Sequence, residues 1–439
     1  MSKRNLILFI IILVILAAVV LGFLYFRQPK GGEEGDTGGI NFLSEFNPFG
    51  RKKEATPAPA IPIDISETPS PGAEAPEIKL KRVSSMPVAG FAVFQKERFK
   101  DVSIPIPITA EGGTPPGAVA PPPTEFAPAL RYVARATGNI YQTFADKIDE
   151  RRFSVTLVPK VSEAFFGKGA ESVVMRYLKT DDRTIATFAG SVPKENLGAD
   201  SSGNNEIRGT FLPDGISDMS VAPDGLKIFY LLNVLDNAVG VTAGVLGDKK
   251  LQVFDSPFTE WTTWWPNNKM ITLTTKPSAG VPGYLYAIDP GKKDLNKILG
   301  DINGLTTLTS PSGKLVLWSN NNLSLGIYDI DTKTTNFFGA RTLPEKCVWG
   351  KASDVIFCAV PKFVSPSLYP DAWYKGEISF SDEIWKIDVK NQNATMISDL
   401  SSINGIEDMD NIKLALDENA NYLFFVNKKD SYLWELSLK

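Results

Sequence analysis

Ala222-Pro223-Asp224-Gly225-Leu226-Lys227-Ile228-Phe229-Tyr230-Leu231-Leu232 is the stretch that decides the fold. Proline presets φ at the first corner of a turn and glycine accepts φ > 0 at a later one, so Pro-Asp-Gly predicts a tight turn. The run after it is apolar almost throughout. A strand apolar on both faces must be buried on both faces. The less apolar segment before it, from Ser217, completes a hairpin over 217–232.

The same shape recurs. Hairpins are predicted over 161–178 around Gly167-Lys168-Gly169, 261–275 around Pro266-Asn267-Asn268 and 306–319 around Ser310-Pro311-Ser312-Gly313. Two more fall at 346–360 around Gly350 to Asp354 and at 412–426 around Asp417 to Asn421. A third strand follows most of them, at 184–188, 284–289, 325–331, 383–389 and 432–438. Turn centres at Gly169, Pro223, Pro266, Pro311, Ala352 and Asn419 are spaced 54, 43, 45, 41 and 67 residues apart. Periods near 40–45 with three or four strands each are the signature of a β-propeller. An earlier, more diverged unit, with strands at 88–94, 130–136 and 139–144, brings the count to seven. The predicted fold is all-β, a seven-bladed β-propeller over residues 80–439, with six or eight blades also compatible. The last blade runs to the chain end, which suits closure of a ring, because closure removes the exposed strand edge.

Ala222-Pro223-Asp224-Gly225 and Ser310-Pro311-Ser312-Gly313 are the turns by which the chain resembles the WD-repeat-like propellers of the TolB type. The likeness covers most of 160–439 at the level of the repeat. The Gly-His and Trp-Asp signatures of true WD repeats are missing, and the first is impossible because the chain has no histidine. The resemblance implies an interaction scaffold; the fold also hosts enzymes, so it does not by itself give a function.

Ahead of the repeats, Leu6 to Phe26 holds no charged residue. At about 1.5 Å per residue its 21 residues reach roughly 32 Å, enough to cross a hydrocarbon core. The stretch is longer than a cleavable signal core and ends in Tyr25-Phe26 rather than in small residues, so an uncleaved transmembrane helix over 6–26 is expected. Lys3 and Arg4 precede it and Arg27 and Lys30 follow, so the flanking charges tie. A very short basic tail (1–5) usually stays in the cytoplasm, which puts the propeller outside, in the periplasm or at the cell surface. Residues 27–79 are a Pro/Gly-rich linker. Within it, Phe42, Phe46 and Phe49 read either as a membrane or partner contact or as scattered apolar residues of a tether.

Absence of histidine excludes Ser-His-Asp and Cys-His catalysis and histidine-ligated metals. Two cysteines cannot form a four-thiolate site. A net charge of −4 is not that of a nucleic-acid binder. No cofactor, metal site or catalytic set is expected. Asp181-Asp182 and Asp329-Ile330-Asp331 lack calcium-loop spacing and read as solvated turns. The tryptophans Trp261, Trp264, Trp265, Trp318 and Trp349 read as core.

The residues singled out for a partner lie in 361–381, which lengthens the sixth repeat: Phe363, Tyr369, Asp371, Trp373 and Tyr374. Aromatics on such a loop either anchor a peptide or glycan or fold back over the blade. Proline-rich 101–128 and polar 199–207 read as long loops. If the hairpin around Gly350 is symmetric, Val348 faces Phe357, Trp349 faces Ile356 and Cys347 faces Cys358. Either a disulfide or two buried thiols satisfies that pairing. The function expected is a membrane-tethered scaffold for an envelope protein or cell-wall polymer, without catalysis. The alternative is a carboxylate-based carbohydrate-active or hydrolytic propeller, which needs two or more acids converging in the central channel.

Overall fold

The computed structural model describes residues 80–100, 122–195, 197, 203–403 and 405–439. The expected cytoplasmic tail, membrane helix and linker lie outside these residues, as do 101–121 of the proline-rich loop. No helix among the described residues is long and apolar enough to cross a membrane.

Within them, seven antiparallel four-stranded sheets form, as a seven-bladed propeller requires. Blades 1 to 6 cover 88–152, 161–211, 216–256, 261–303, 306–341 and 347–399, each with its strands in chain order. The seventh is composite. Asn411–Leu416, Tyr422–Asn427 and Leu433–Ser437 supply three strands, and Leu80–Arg82 supplies the outermost one. Its register is Leu80 opposite Leu436, Lys81 opposite Glu435 and Arg82 opposite Trp434. The last blade therefore does not end at the chain terminus alone: a strand from before blade 1 closes the ring.

The deciding stretch folds as its residues dictate. Ala222 and Gly225 close the turn, Gly225 N–H donating to the Ala222 carbonyl at 2.8 Å with φ +66°. Gly313 does the same to Ser310. The second strands, such as Lys227–Val234 and Val355–Pro361, carry fully buried runs, Ile228 to Leu231 and Ile356 to Ala359. The fourth strands were not legible in the sequence. Arg208–Phe211, Leu295–Asn303 and Thr334–Arg341 are outermost and largely solvated, so no apolar run marks them. The 67-residue spacing in blade 6 is the insertion between Val355–Pro361 and Asp382–Asp388.

First strands of neighbouring blades pack on each other, Val88–Phe99 on Val161–Phe166 and Ile216–Val221 on Trp261–Asn267 among them, and are thereby innermost. At Gly90 the approach is close enough that a Cβ would sit 2.0 Å from the Ala164 carbonyl oxygen. Between blades lie apolar layers, for example Val174, Ile216, Ile228 and Tyr230 between blades 2 and 3. Four of the five tryptophans are core as expected; Trp264 is instead half exposed, its indole donating to the Thr309 carbonyl at 3.0 Å.

Blade 7 meets blade 1 through Val88, Leu130, Tyr132, Phe424 and Leu433. Glu435, on the strand that Leu80–Arg82 covers, is buried in this blade, and its Oε2 has no hydrogen-bond partner among the described residues. Burial pushes its carboxyl up to about 8, against the pull of Lys81. The fold thus favours the protonated acid. That contribution is full below the ordinary glutamate value of about 4.5 and is lost as pH rises through about 8. Glu435→Gln, which mimics the neutral acid, should raise the urea midpoint at pH 8.5 and flatten its decline between pH 5 and 8.5. An unchanged or steeper decline would count against this account.

Candidate functional site

Near the innermost strands, charged side chains from non-adjacent blades come within electrostatic range of one another. Arg176 of blade 2 donates to Glu163 at 2.7 Å and to the carbonyls of Ile216 and Ser217 in blade 3. Asp218 of blade 3 accepts from the Thr263 N–H of blade 4 at 2.6 Å. Lys413 of blade 7 donates to the Ala89 carbonyl of blade 1 at 2.7 Å and lies in the field of Glu163 and Arg176. Glu345, in the link from blade 5 to blade 6, feels Asp218 and Lys428. It is open to water yet walled by protein.

Position comes from the backbone. The first strands of blades 1, 2, 3 and 7 each carry a bulge near their start, between Val88 and Gly90, Val161 and Glu163, Ile216 and Asp218, and Ile412 and Ala415. A bulge re-aims the side chains beside it, and Glu163, Asp218 and Lys413 sit there. Sequence reasoning passed over these residues because each stands alone in its own repeat. The one available signal was a charge at the start of an innermost strand.

Walling by protein pushes Glu345 up to about 7, an effect that the Tyr374 hydroxyl bonded to it and the charge of Lys346 oppose and Asp218 reinforces. Burial likewise pushes Asp218 up to about 6. Two carboxyls with raised values therefore share the axis, which is the arrangement carboxylate chemistry would use. Each is already held, Asp218 by a backbone N–H and Glu345 by a phenol.

The blade 6 insertion reaches one of these groups, Glu345, through the Tyr374 hydroxyl. Its short helix α1 (Asp371–Tyr374) packs Trp373, with Tyr369 and Phe380, on Leu323 and Leu343 of the blade 5 loops. Asp371 accepts from the Ala279 N–H of blade 4 at 2.6 Å, and Lys428 of blade 7 donates to the Trp373 carbonyl at 2.6 Å. So the insertion spans the loops of blades 4 to 7. Of the five residues expected to anchor a partner, Tyr369 and Trp373 are buried and Asp371 holds the loop down. Only Phe363 (74% exposed) and Tyr374 reach solvent. Inward folding wins for the aromatics because Trp373 and Tyr369 can bury large apolar area while their polar atoms find partners, Asp410 at 2.9 Å and the Ser365 carbonyl at 2.8 Å.

Beneath the insertion lies an ion cluster with no exposed side-chain surface. Lys346 donates to Asp382 at 2.8 Å and to Asp410, tying the blade 5–6 link to blades 6 and 7. Asp410 also accepts from Trp373, Ser379 and the Phe380 N–H. Burial pushes Asp410 up, but Lys346 and these donors more than offset it, and the carboxyl is held below its usual range. At Asp382 burial wins and the value rises to about 6. Cys347 stands opposite Cys358 in the register, Val348 opposite Phe357 and Trp349 opposite Ile356, and the two sulfurs are joined. Asp181 and Asp329 occupy exposed turns, where each accepts from nearby backbone N–H groups, and the described residues hold no group of three or more Cys, Asp or Glu placed for a metal.

No protein-family model matches this chain, and no curated protein matches it. Among solved structures it is similar to an oligogalacturonate lyase in complex with manganese, at 8% identity and TM-score 0.47 over 71% of this chain and 85% of that one. An oligogalacturonate lyase from Vibrio parahaemolyticus gives 8%, 0.48, 71% and 86% in the same terms. The tricorn protease gives 12% and 0.35 over 68% of this chain, which spans only 27% of that one. These likenesses concern chain course and carry nothing about the chemistry of this site.

Removing one partner of a buried ion cluster leaves uncompensated charge, typically about 3–5 kcal/mol. Lys346→Ala should cost that order in urea denaturation, and Asp382→Asn, which keeps Lys346 paired with Asp410, clearly less. A loss under about 1 kcal/mol for Lys346→Ala would contradict the cluster's role.

Proposed function

We propose that this chain is a non-catalytic interaction scaffold: a TolB-type, WD-repeat-like propeller tethered to the membrane by residues 6–26 and displayed outside the cytoplasm to an envelope protein or cell-wall polymer. One observation carries the reading. The blade 6 insertion closes over the ion cluster of Lys346, Asp382 and Asp410 and bonds Glu345 through Tyr374, and the polar atoms of its buried Tyr369 and Trp373 find partners within the protein. What remains for a partner is the outside of that insertion, with Phe363 and Leu368 both strongly exposed. The turns at 222–225 and 310–313 support the family reading, and the Cys347–Cys358 pairing agrees with an oxidising exterior. A photo-crosslinking residue at Phe363 of the full chain in its native membrane should give a discrete adduct. The same group at Phe337, exposed on the outer strand of blade 5, should not. No adduct at Phe363, or equal labelling at both, would remove the insertion as the contact surface.

A second reading is favoured by one feature, the raised carboxyls Asp218 and Glu345 near the axis. It makes the protein a carboxylate hydrolase acting on glycans or peptides. That reading requires hydrolysis by the purified full chain that disappears in both Asp218→Asn and Glu345→Gln. Turnover absent, or unaffected by either substitution, dismisses it.

A further inference from the structure

Beneath the blade 6 insertion, a lysine and two aspartates from three separate segments meet out of contact with solvent. Lys346 ends the short link before blade 6, and Asp382 opens the third strand of that blade. Asp410 stands just ahead of Asn411–Leu416, the first strand of blade 7. Lys346 Nζ donates to Asp382 Oδ2 at 2.8 Å and to Asp410 Oδ1. The rings of Phe380 and Trp373 close over the amine, their centres 5.3 and 5.5 Å from Nζ.

The two aspartates are held differently. Asp410 gives Oδ1 to Lys346, while its Oδ2 accepts from Trp373 Nε1 at 2.9 Å, the Phe380 N–H at 3.1 Å and Ser379 Oγ at 3.2 Å. Fixed donors gathered on one oxygen are what an oxyanion needs when a nucleophile adds to the carbon beside it. Asp382 accepts at Oδ2 from Lys346 and from the Asn411 N–H at 2.6 Å, whereas its buried Oδ1 has no hydrogen-bond partner among the described residues. That oxygen is open to a proton. Burial pushes the carboxyl up to about 6 against the pull of Lys346, close enough to neutrality to take a proton and give it back.

In water an amine and a carboxyl do not condense, because both ionise. Burial penalises the ionised forms and so removes that obstacle. Fixing nucleophile and carboxyl in contact is equivalent to a concentration on the order of 10⁵ M.

We propose that Lys346 and Asp410 condense spontaneously into an intramolecular isopeptide bond, with Asp382 as proton carrier and Trp373, Ser379 and Phe380 as the oxyanion donors. Asp382 takes a proton from the Lys346 ammonium, and the freed electron pair on Nζ attacks Asp410 Cγ. The carbonyl pair moves onto Oδ2, where the donors hold it. Asp382 passes its proton to Oδ1 and then carries a second one from Nζ to the same oxygen. The Cγ–Oδ1 bond breaks, water leaves, and the pair on Oδ2 restores the carbonyl. One C–N bond forms, one C–O bond breaks, Asp382 ends as it began, and no oxidant or reductant takes part. The product closes a covalent loop from 346 to 410 around the whole of blade 6 and ties it to blade 7. This chemistry is independent of any partner the propeller binds.

The test is the intact mass of the full chain, purified in detergent, denatured, and reduced so that the Cys347–Cys358 bond is open. The expected mass lies one water, about 18 Da, below that of the sequence. Digestion should release a branched peptide in which Lys346 is joined to Asp410. Lys346→Arg keeps the charge but lacks the primary amine and should show the full mass. Asp382→Asn cannot carry the proton and should show it too, with its circular dichroism unchanged. Should either variant fail to fold, the native mass and the branched peptide decide. Full mass in the native chain, a loss of about 17 Da (ammonia, from an asparagine such as Asn411), or a water lost elsewhere overturns the proposal. An Asp382→Asn chain as light as the native one overturns the role given to Asp382.

Discussion

Everything in this molecule depends on one constraint: its second strands are apolar on both faces, so every sheet must be covered on both sides. A single sheet of this kind cannot satisfy that demand, and an open stack leaves two faces bare. A closed ring satisfies it for all sheets at once. The runs Ile228 to Leu231, Ile356 to Ala359 and Leu423 to Phe425 are buried because a neighbouring blade lies on each side of them. Closure rests on Leu80–Arg82, which completes the blade built from the other end of the chain. The strand is three residues long, but it protects the edge of Leu433–Ser437 and brings Lys81 opposite the buried Glu435.

Where the demand for apolar burial relaxes, the structure places charge. Near the axis the first strands converge, and Glu163, Asp218 and Lys413 stand there bonded to Arg176, the Thr263 N–H and the Ala89 carbonyl. Over the link between blades 5 and 6 the blade 6 insertion excludes water, and there each charge is bonded: Lys346 to two aspartates, Asp410 to four donors. Between blades 1 and 2 the charged row Arg131, Gln142 and Arg151 interrupts an otherwise apolar layer of Val133, Ile140, Phe153 and Val173. The same sheet face therefore holds the ring together at one end and offers a polar cleft at the other.

Much of this architecture was legible residue by residue. Pro223-Asp224-Gly225 and Pro311-Ser312-Gly313 announce turns because proline and glycine restrict and free φ locally. The apolar second strands announce two-sided burial. The facing of Cys347 and Cys358 follows from counting outward from Gly350 to Asp354. Fourth strands such as Arg208–Phe211 stayed hidden because an outer, solvated strand needs no apolar pattern. Trp264 misled because a tryptophan in a strand reads as core whichever way it points.

By itself the sequence determined the repeat and the turns, since these depend on local φ preferences and on hydrophobic pattern within some 45 residues; the count of seven, open to six or eight in the sequence, was decided by the sheets themselves. Tertiary structure alone decided which strand closes the ring, which aromatics of 361–381 turn inward, and which charges share a site. Leu80 and Leu436, Lys346 and Asp410, or Arg131 and Glu195 are 356, 64 and 64 residues apart, and no local preference encodes their meeting. Their encounters follow from the angle and order of seven packed sheets, which exist only once the ring has closed.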